Sequence, residues 1–528
     1  MSGERTSRTP RTSRTRPGFP VLFVLYVLYV LFVLSPAQAA ERVPGQFIAK
    51  IHTEALGRAP DPEEWQQAVA WFAANGCSAA TLNAWTRRIY LSGDYLSRGY
   101  DATEELLTLY RGVLNREPDP TDFYLRLKAR RRGQDFRATV DAFFSTREFR
   151  RLTKKICGAQ TGYSFGTQPV LALPLSVSGG GFEGTGAQLQ ALLDATPAGE
   201  TVWLAQKAVV RLNAPLVIPP RVTLATVGFP ETIRYARMAR LVRNAAFKTA
   251  AVTLEDGAAL EHVWVDGQRG VVGFVDDGIN VRLLGGDGTR IRNSVITNSA
   301  GWSSVQVFGT SEGFPCHAVQ VWGNLITAYS SGHVRGKLKH DPWTDGLSIS
   351  CESTLVQDNH IVDATDVAIV LFRAHPAVQR STVRLNRILA AGNSAYGAIS
   401  IDGLQGRGTK PDFRGAIVED NTFWTAPGTH FDIGIAVGTR AWFGPPADLA
   451  SGVWVIDNTT AGIPTRVDSG IAVSGMLEAH VTGNDLDLIL VDVSRCPNAA
   501  VGASVAAGWA SGEIQPYTDA AYDRCIGH

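Results

Sequence analysis

The sequence has 528 residues and a formal net charge of +1 at pH 7, with 50 basic and 49 acidic side chains. This balance argues against a nucleic-acid-binding protein, which normally carries a clear positive excess. The length allows two or three domains, and the 53 glycines are typical of a chain with many tight turns between short strands.

The N-terminus has the three parts of a secretory signal peptide. Five arginines precede an unbroken apolar run at residues 21–34, and Ala37-Gln38-Ala39 then supplies small residues for cleavage. The run is too short to cross a bilayer comfortably. We therefore predict that residues 1–39 are removed and that a bacterial protein is secreted, periplasmic or at the cell surface, with no stable membrane span. An uncleaved membrane anchor is the alternative.

Six cysteines permit disulfide bonds in an exported protein, and no two have the C-x-x-C spacing of a zinc site. Buried free thiols are the alternative. We predict the pairs Cys77–Cys157, Cys316–Cys351 and, closing the C-terminal end, Cys496–Cys525.

A motif occurs twice near the N-terminus, 58 residues apart. Leu56-Gly57-Arg58-Ala59-Pro60-Asp61-Pro62 recurs as Leu114-Asn115-Arg116-Glu117-Pro118-Asp119-Pro120. Apolar residues at helical spacing precede each copy and aromatic-rich helical patterns follow it. The first proline ends one helix, the aspartate can cap the next, and the second proline suits its first turn. Residues 44–157 are therefore predicted to form an all-α domain of two helical repeats.

This unit resembles a helical domain of unknown function that is widespread in secreted bacterial proteins, with the signature Y-R-x-x-L-x-R-x-P-D and a later S-x-E-F. The second copy matches from Tyr110 to Asp119 and ends on Ser145, Glu148 and Phe149. The first copy departs from the signature at both ends. The resemblance implies no chemistry. We expect Arg58 and Arg116 to form structural ion pairs, with ligand binding as the alternative.

The next two segments connect the predicted all-α domain to a region with a different sequence pattern. Residues 158–184 are rich in Gly, Ser, Thr and Pro and are predicted to be a linker. Residues 186–194 have the apolar spacing of a short helix that could cover an open sheet edge.

From Val202 onward, short strands alternate with Gly, Asn and Asp. Seven segments share an apolar strand, an asparagine and a second short strand, at intervals of 26–37 residues. His262 takes the asparagine position in an earlier segment. The asparagines are Asn293, Asn324, Asn359, Asn386, Asn421, Asn458 and Asn484.

This pattern predicts the coils of a solenoid. Asparagine suits the bend between strands because it tolerates left-handed backbone, and stacked asparagines can hydrogen-bond from coil to coil. The stretch resembles the pectin-lyase-like superfamily, which contains lyases, hydrolases, epimerases and binding proteins. The predicted fold is mainly β: a right-handed parallel β-helix at residues 185–495, a small all-α N-terminal domain, and a C-terminal cap or tail at residues 496–528.

Two aspartates on neighbouring coils are the leading candidates for acid–base chemistry. Asp345 and Asp366 are separated by about one short coil, and coils stack about 4.8 Å apart. The two carboxyl groups should therefore lie close together, which would raise the pKa of one of them as a general acid requires. Hydrogen bonding to turn backbone is the alternative.

Two families of β-helix enzymes have sequence motifs that resemble parts of this region. Polygalacturonases carry N-T-D, D-D and G-H-G on successive coils; Thr344-Asp345-Gly346, Asp366 and Tyr396-Gly397 are similar, but the Asn, the His and a later R-x-K are missing. Mannuronan epimerases carry D-P-H-D/E, which Asp341-Pro342 resembles in part, although His340 precedes the aspartate. The resemblances imply a site on one exposed sheet.

Cationic and aromatic side chains around the aspartates complete the predicted site. A lyase or epimerase needs a base and a cation that neutralises the uronate carboxylate, while tryptophan faces suit sugar rings. The predicted catalytic residues are His340, Lys339, Asp345, Asp366 and Arg373; the predicted substrate-binding residues are Arg335, Lys337, Trp343, Tyr396 and Trp302, with Trp424 and Trp442 as further stacking candidates; and Asp341 could bind calcium.

The sequence therefore favours an exported polysaccharide-active protein. A lyase or C5-epimerase acting on a uronate-containing polymer comes first, and a hydrolase comes second. The expected partner is a polysaccharide, with no nucleic acid. The alternative is a non-catalytic cell-surface or matrix protein that binds glycan and has no converging acid–base cluster on its exposed sheet.

Overall fold

A computed structural model describes residues 43–158, 180–228, 233–308, 316–327, 343–374, 378–402, 412–438, 450–473, 476, 478–491 and 512–513. Helices occupy residues 45–156, and three parallel sheets occupy the chain from residue 201 onward. This arrangement confirms the predicted fold class, a parallel β-helix preceded by an all-α region. The predicted signal peptide, most of the linker and nearly all of the C-terminal segment lie outside the described residues.

The Pro-Asp-Pro turns start helices as their sequence predicts. Asp61 accepts the backbone N–H of Glu64 at 2.8 Å, and Asp119 accepts that of Asp122 at 3.1 Å. A proline opens both helices. The helices are α1 (Gly45–Leu56), α2 (Pro62–Asn75), α3 (Ala79–Tyr90), α4 (Gly93–Ser97), α5 (Ala102–Leu114), α6 (Pro120–Arg131), α7 (Phe136–Phe144), α8 (Arg147–Ile156), α9 (Gly186–Asp194) and α10 (Arg269–Val272).

The strands are short because each coil bends three times, once between each strand and the next sheet. The first half comprises β1 (Thr201–Leu204), β2 (Val209–Leu212), β3 (Leu216–Ile218), β4 (Thr223–Thr226), β5 (Ala239–Arg243), β6 (Val252–Leu254), β7 (Ala259–Glu261), β8 (Val263–Asp266), β9 (Val281–Leu283), β10 (Arg290–Arg292), β11 (Val295–Thr297), β12 (Ser303–Val307), β13 (Val319–Trp322) and β14 (Leu325–Thr327).

The second half comprises β15 (Asp345–Ile349), β16 (Thr354–Gln357), β17 (His360–Val362), β18 (Val367–Leu371), β19 (Thr382–Arg384), β20 (Arg387–Ala390), β21 (Ala395–Ile401), β22 (Ile417–Glu419), β23 (Thr422–Thr425), β24 (Phe431–Val437), β25 (Trp454–Ile456), β26 (Thr465–Val473), β27 (Glu478–Thr482), β28 (Leu488–Leu490) and β29 (Gly512–Glu513).

Successive coils place one strand in each of three sheets. The first sheet has the order β1-β4-β7-β10-β13-β16-β19-β22-β25-β27-β29, the second β2-β5-β8-β11-β14-β17-β20-β23, and the third β3-β6-β9-β12-β15-β18-β21-β24-β26-β28. All these neighbours are parallel except β27 and β29. Because parallel strands need a crossover, this order is that of a solenoid and not of hairpins.

Columns of aliphatic side chains fill the interior. In the first sheet, Ile291, Val321, Val356 and Val383 are lateral neighbours, and all are fully buried. Burial of each such side chain contributes roughly 1.5–3 kcal/mol. Helix α9 closes the N-terminal end of this core with Leu189 and Leu193, as the sequence predicted.

A ladder of buried asparagines runs along the bend between the first and second sheets. From Asn324 to Asn484, each Nδ2 donates to the Oδ1 of the next asparagine at 2.9 Å. Each Nδ2 also donates to a strand carbonyl of the first sheet, such as Ile291 or Val321. The ladder therefore satisfies polar groups that would otherwise be buried without partners.

The sequence prediction of this ladder needs two corrections. Asn293 lies outside it: the backbone N–H of Ser294 donates to Asn324 Oδ1 at 2.9 Å, so Ser294 holds the ladder position. The ladder asparagines also do not supply the left-handed bend. That conformation belongs to the residue before each of them, such as Asp358 (φ 52°) or Asp420 (φ 53°), and Asn293 (φ 46°) is one of these.

The helical region packs on the outside of the second sheet. Trp65 of α2 lies 6.4 Å from the buried Trp424 of β23, measured between ring centroids. Arg240 of β5 binds Glu117 at 2.7 Å and also pairs with Asp266. Burial alone would raise the pKa of Glu117, but the nearby guanidinium groups outweigh it and lower the pKa to about 2.

Several further predictions can be compared with the structure. The disulfides Cys77–Cys157 and Cys316–Cys351 are present, whereas Cys496–Cys525 lies outside the described residues. Arg58 pairs with Glu64 at 2.6 Å and Arg116 with Glu148, as expected for structural ion pairs. Within the part of the chain that is described, no helix combines the length and the apolar character needed to span a membrane.

We predict that Asn421→Ala lowers the free energy of unfolding by about 3 kcal/mol or more. The substitution removes the acceptor of the Asn386 backbone N–H and one acceptor of Asn386 Nδ2, and it removes a donor to the Val383 carbonyl and to Asn458 Oδ1; each buried group left unpaired costs about 1–3 kcal/mol. Chemical denaturation measures the loss. Asp420→Asn, at the adjacent exposed left-handed residue, is the control and should change stability by less than about 0.5 kcal/mol; equal losses would contradict the role of the ladder.

Candidate functional site

The outer face of the third sheet carries the predicted aspartates. Ser303, Asp345 and Val367 are neighbours across the three strands β12, β15 and β18, and Gly397 and Ile433 continue the same row. Val367 and Ile433 pack in an apolar cluster separate from the solenoid core. This row therefore faces away from the interior of the solenoid, although its side chains are buried.

One residue earlier, a second row runs along the same face. Backbone hydrogen bonds join Asp345 to Trp302 (2.8 Å), Asp366 to Thr344 (3.2 Å) and Tyr396 to Asp366 (2.9 Å). The strand register then places Asp432 beside Tyr396 and Asp468 beside Asp432. Trp302, Thr344, Asp366, Tyr396, Asp432 and Asp468 thus align on six successive coils over about 24 Å, with Thr344, Asp432 and Asp468 buried.

Asp345 is held in a fixed position by its neighbours. Its Oδ1 accepts the backbone N–H of Val367 from the next coil at 3.2 Å, and its Oδ2 lies 2.7 Å from the hydroxyl of Ser348. Ser348 in turn lies 2.9 Å from the hydroxyl of Ser303. The hydrogen bond from Val367 places the carboxylate of Asp345 next to Asp366, the residue that immediately precedes strand β18.

The two aspartates form an electrostatic pair. Burial, and then the charge of Asp366, raise the pKa of Asp345 well above its usual range, although the hydrogen bonds from Ser348 and Val367 act in the opposite direction. Burial also raises the pKa of Asp366 to about 7. Because two adjacent carboxylates removed from water do not both ionise readily, the pair holds a proton to a higher pH than an isolated carboxyl group. Such a pair can donate a proton from one carboxyl group and accept one at the other.

Aromatic rings border this pair. The Trp343 and Tyr396 rings meet edge to face with centroids 4.7 Å apart. Trp302 is 44% exposed, and its indole N–H donates to Asp276 at 3.0 Å. Exposed or half-exposed rings of this kind can stack on the apolar face of a sugar.

The prediction that Trp424 stacks on a sugar is wrong. Its side chain is fully buried, because the helical region covers the second sheet at this point. Trp442, the other stacking candidate, lies outside the described residues.

Three side chains at the end of the row could hold a cation, and the sequence analysis missed them. One ligand atom each from His430, Asp432 and Asp468 lies within 4.8 Å of the others. The other ring nitrogen of His430 hydrogen-bonds the Ser394 hydroxyl at 3.1 Å, which fixes the orientation of the ring. The H-x-D pattern was visible in the sequence, but the position of Asp468 depends on the register of β24 and β26.

Arg373 lies at the opposite end of the third-sheet strands from Asp345 and Asp366. It follows β18, whereas Asp366 precedes that strand, which separates the two residues by roughly 20 Å. Its guanidinium group forms two hydrogen bonds with the buried Asp402, at 2.6 and 3.0 Å. The structure therefore does not bring Arg373 to the acidic pair. The remaining predicted residues, Arg335, Lys337, Lys339, His340 and Asp341, lie outside the described part of the chain.

Comparisons with known proteins add little to this geometry. No protein-family model and no curated protein matches the sequence. Among solved structures, the chain is similar to a mutant tailspike protein of E. coli bacteriophage HK620 in complex with a pentasaccharide, at 12% identity and a TM-score of 0.30, over 56% of this chain and 61% of the tailspike. The alignment thus spans less than two thirds of the tailspike. The three parallel sheets establish the fold of this chain by themselves.

The raised pKa of Asp366 predicts a specific dependence of stability on pH. An acid with a higher pKa in the folded protein than in the unfolded chain stabilises the fold below its unfolded value, here about 3.8, and this contribution is lost as the pH rises to about 7. Asp366→Asn removes the titration. The stability of this variant relative to the wild type should therefore rise by up to about 4 kcal/mol between pH 4 and pH 8.

Urea unfolding at the two pH values measures this difference. Asp420→Asn, which replaces an exposed aspartate on a turn, is the matched control and should keep a constant stability difference from the wild type. If the stability of Asp366→Asn relative to the wild type is the same at both pH values, or is higher at pH 4 than at pH 8, the pKa of Asp366 is not raised in the folded protein.

Proposed function

We propose that the protein is a polysaccharide-modifying enzyme in which Asp345 and Asp366 form the acid–base pair. The observation that carries this proposal is their juxtaposition on the third sheet, where burial raises the pKa of both carboxyl groups and the charge of Asp366 raises that of Asp345 further. Glycosidic bond cleavage uses such a pair: one protonated carboxyl group protonates the leaving oxygen, and one carboxylate acts as base or nucleophile.

The shape of the face supports a polymeric substrate. Asp366 lies in a straight row with Trp302 and Tyr396, Asp345 lies in the adjacent row, and the first row continues to Asp468 along the solenoid axis. An extended sugar chain lying along this row would contact aromatic rings next to the carboxyl pair. A purely structural glycan-binding protein has no need for such a pair, so the enzyme is the better interpretation of the two.

Hydrolysis is the reaction that the described side chains serve most directly, because it requires only the two carboxyl groups. A lyase or C5-epimerase acting on a uronate polymer is the second candidate. It is favoured by the cationic segment from Arg335 to His340, which ends three residues before Trp343 in the sequence. In that case His340 or Lys339 would act as the base, Arg335 or Lys337 would neutralise the substrate carboxylate, and Asp341 could bind calcium. Export, indicated by the N-terminal segment, would bring either enzyme to extracellular polymers.

Replacing the acid pair tests the proposal. We expect Asp345→Asn and Asp366→Asn each to lower turnover about 100-fold or more, since a positioned acid or base contributes 10²–10⁴ in rate. The assay panel should contain neutral polysaccharides, polygalacturonate and alginate. Asp420→Asn is the control and should keep wild-type activity.

The products distinguish the candidate reactions. Hydrolysis yields new reducing ends alone, a lyase also yields an unsaturated uronate, and an epimerase incorporates solvent deuterium without shortening the chain. Turnover that stays within threefold of the wild type in both aspartate variants would refute the assignment of the pair.

A further inference from the structure

The outer face of the first sheet has an unusual concentration of exposed tryptophan. Four described tryptophans are at least 40% exposed, and one of them, Trp302, borders the acid pair. The other three, Trp203, Trp322 and Trp454, all point outward from the first sheet. Single exposed apolar residues are common, but three of the largest side chains on one face indicate a binding surface.

These three tryptophans are evenly spaced along the solenoid. Trp203 is on β1, Trp322 on β13 and Trp454 on β25, and the order of the first sheet places exactly three strands between each pair. With strands about 4.8 Å apart, consecutive tryptophans are about 19 Å apart along the axis. We name the outer face of β1 to β27 in this sheet the tryptophan strip.

Neighbouring side chains support two of the rings. The Arg292 guanidinium lies 5.8 Å from the Trp322 ring centroid, and the His480 ring stacks on Trp454 at 4.0 Å, with an angle of 13° between the planes. Such contacts restrain the rings in their outward orientation. They therefore reduce the side-chain conformational entropy that is lost when a ligand binds. Polar side chains such as Gln357, the neighbour of Trp322 on β16, lie on the same face between Trp322 and Trp454 and can hydrogen-bond hydroxyl groups.

The dimensions of the strip favour a linear polymer over a second protein. Nine steps between ten strands give a length of about 43 Å, and three residues of each strand give a width of about 10 Å. The resulting area is roughly 400 Å², about half of the 800 Å² that each partner buries in a stable protein interface. A chain of sugars, with a repeat close to the rise of one coil, matches a surface that is long and narrow.

The charges on the strip are nearly balanced. Arg290, Arg292 and Arg384 are offset by Glu261 and Glu419, and Arg290 pairs with Glu261 at 2.7 Å. A nucleic acid would require a surplus of cationic groups to replace its counterions. Aromatic rings with interspersed amides and balanced charges suit a neutral or weakly acidic glycan.

We infer that the tryptophan strip binds a polysaccharide chain along the solenoid axis, separately from the acid pair on the third sheet. This inference shares the substrate class of the proposed function but does not require catalysis. An enzyme with such a second surface would remain attached to its polymer while the third sheet acts on it.

Affinity electrophoresis tests the inference in the Asp366→Asn variant, whose expected turnover is too slow to degrade the polymer during the experiment. The gels contain hydroxyethyl cellulose, galactomannan, polygalacturonate or alginate. We expect the protein with an intact tryptophan strip to migrate more slowly in at least one of these gels than in a gel without polymer. The triple variant Trp203→Thr, Trp322→Thr, Trp454→Thr, in which threonine keeps a high β-propensity, should bind at least tenfold more weakly, and each single variant severalfold more weakly.

A matched control and a mass measurement make the result decisive. Tyr124→Ala removes an exposed aromatic ring from α6 and should leave retardation unchanged. Retardation by none of the four polymers, or equal retardation of the triple variant and the wild type, would overturn the inference. So would a fall in mass by light scattering in the triple variant, because the strip would then contact a second copy. If the triple variant unfolds, the three single variants decide by the same criteria. Absence of turnover in the otherwise unmodified protein, together with tryptophan-dependent retardation, would refute only the proposed acid pair.

Discussion

The register between coils is the constraint on which the rest of this structure depends. Each ladder asparagine from Asn324 to Asn458 bonds the coil before it and the coil after it, so a coil cannot slide without leaving buried donors and acceptors unpaired. The aliphatic columns inside the sheets impose the same register. Because all coils are locked at one spacing, residues at matching positions become straight rows on the outer faces.

This stacking explains why Asp345 and Asp366 interact. Asp345 is the first residue of β15, and Asp366 immediately precedes β18 on the next coil. The fixed spacing between coils therefore keeps the two carboxyl groups close together. The fold thereby accepts a charge repulsion that the unfolded chain does not have, which lowers stability as the pH rises. Strain of this kind is common where a protein holds a proton for chemistry.

The three sheets have different surroundings. The helical region covers the second sheet through Trp65 and through Arg240, which bridges Glu117 and Asp266. The third sheet presents the acidic row, and the first presents exposed aromatic rings. The repeated motif around Arg116 therefore has a structural role here: the acidic residue that follows this arginine, Glu117, binds the solenoid and holds the helices against it.

The sequence alone determined the fold class, because asparagines recurring at coil length, Pro-Asp-Pro caps and cysteine positions are local or periodic signals. It also brought Asp345 and Asp366 together, since they lie one short coil apart. Only the tertiary structure decided that Trp424 is buried, that Arg373 pairs with Asp402 and that Asp468 joins the acidic row. The coils vary in length by about ten residues, so their lateral register, and the helical surface that covers one sheet, follow from packing between segments that are distant in the chain.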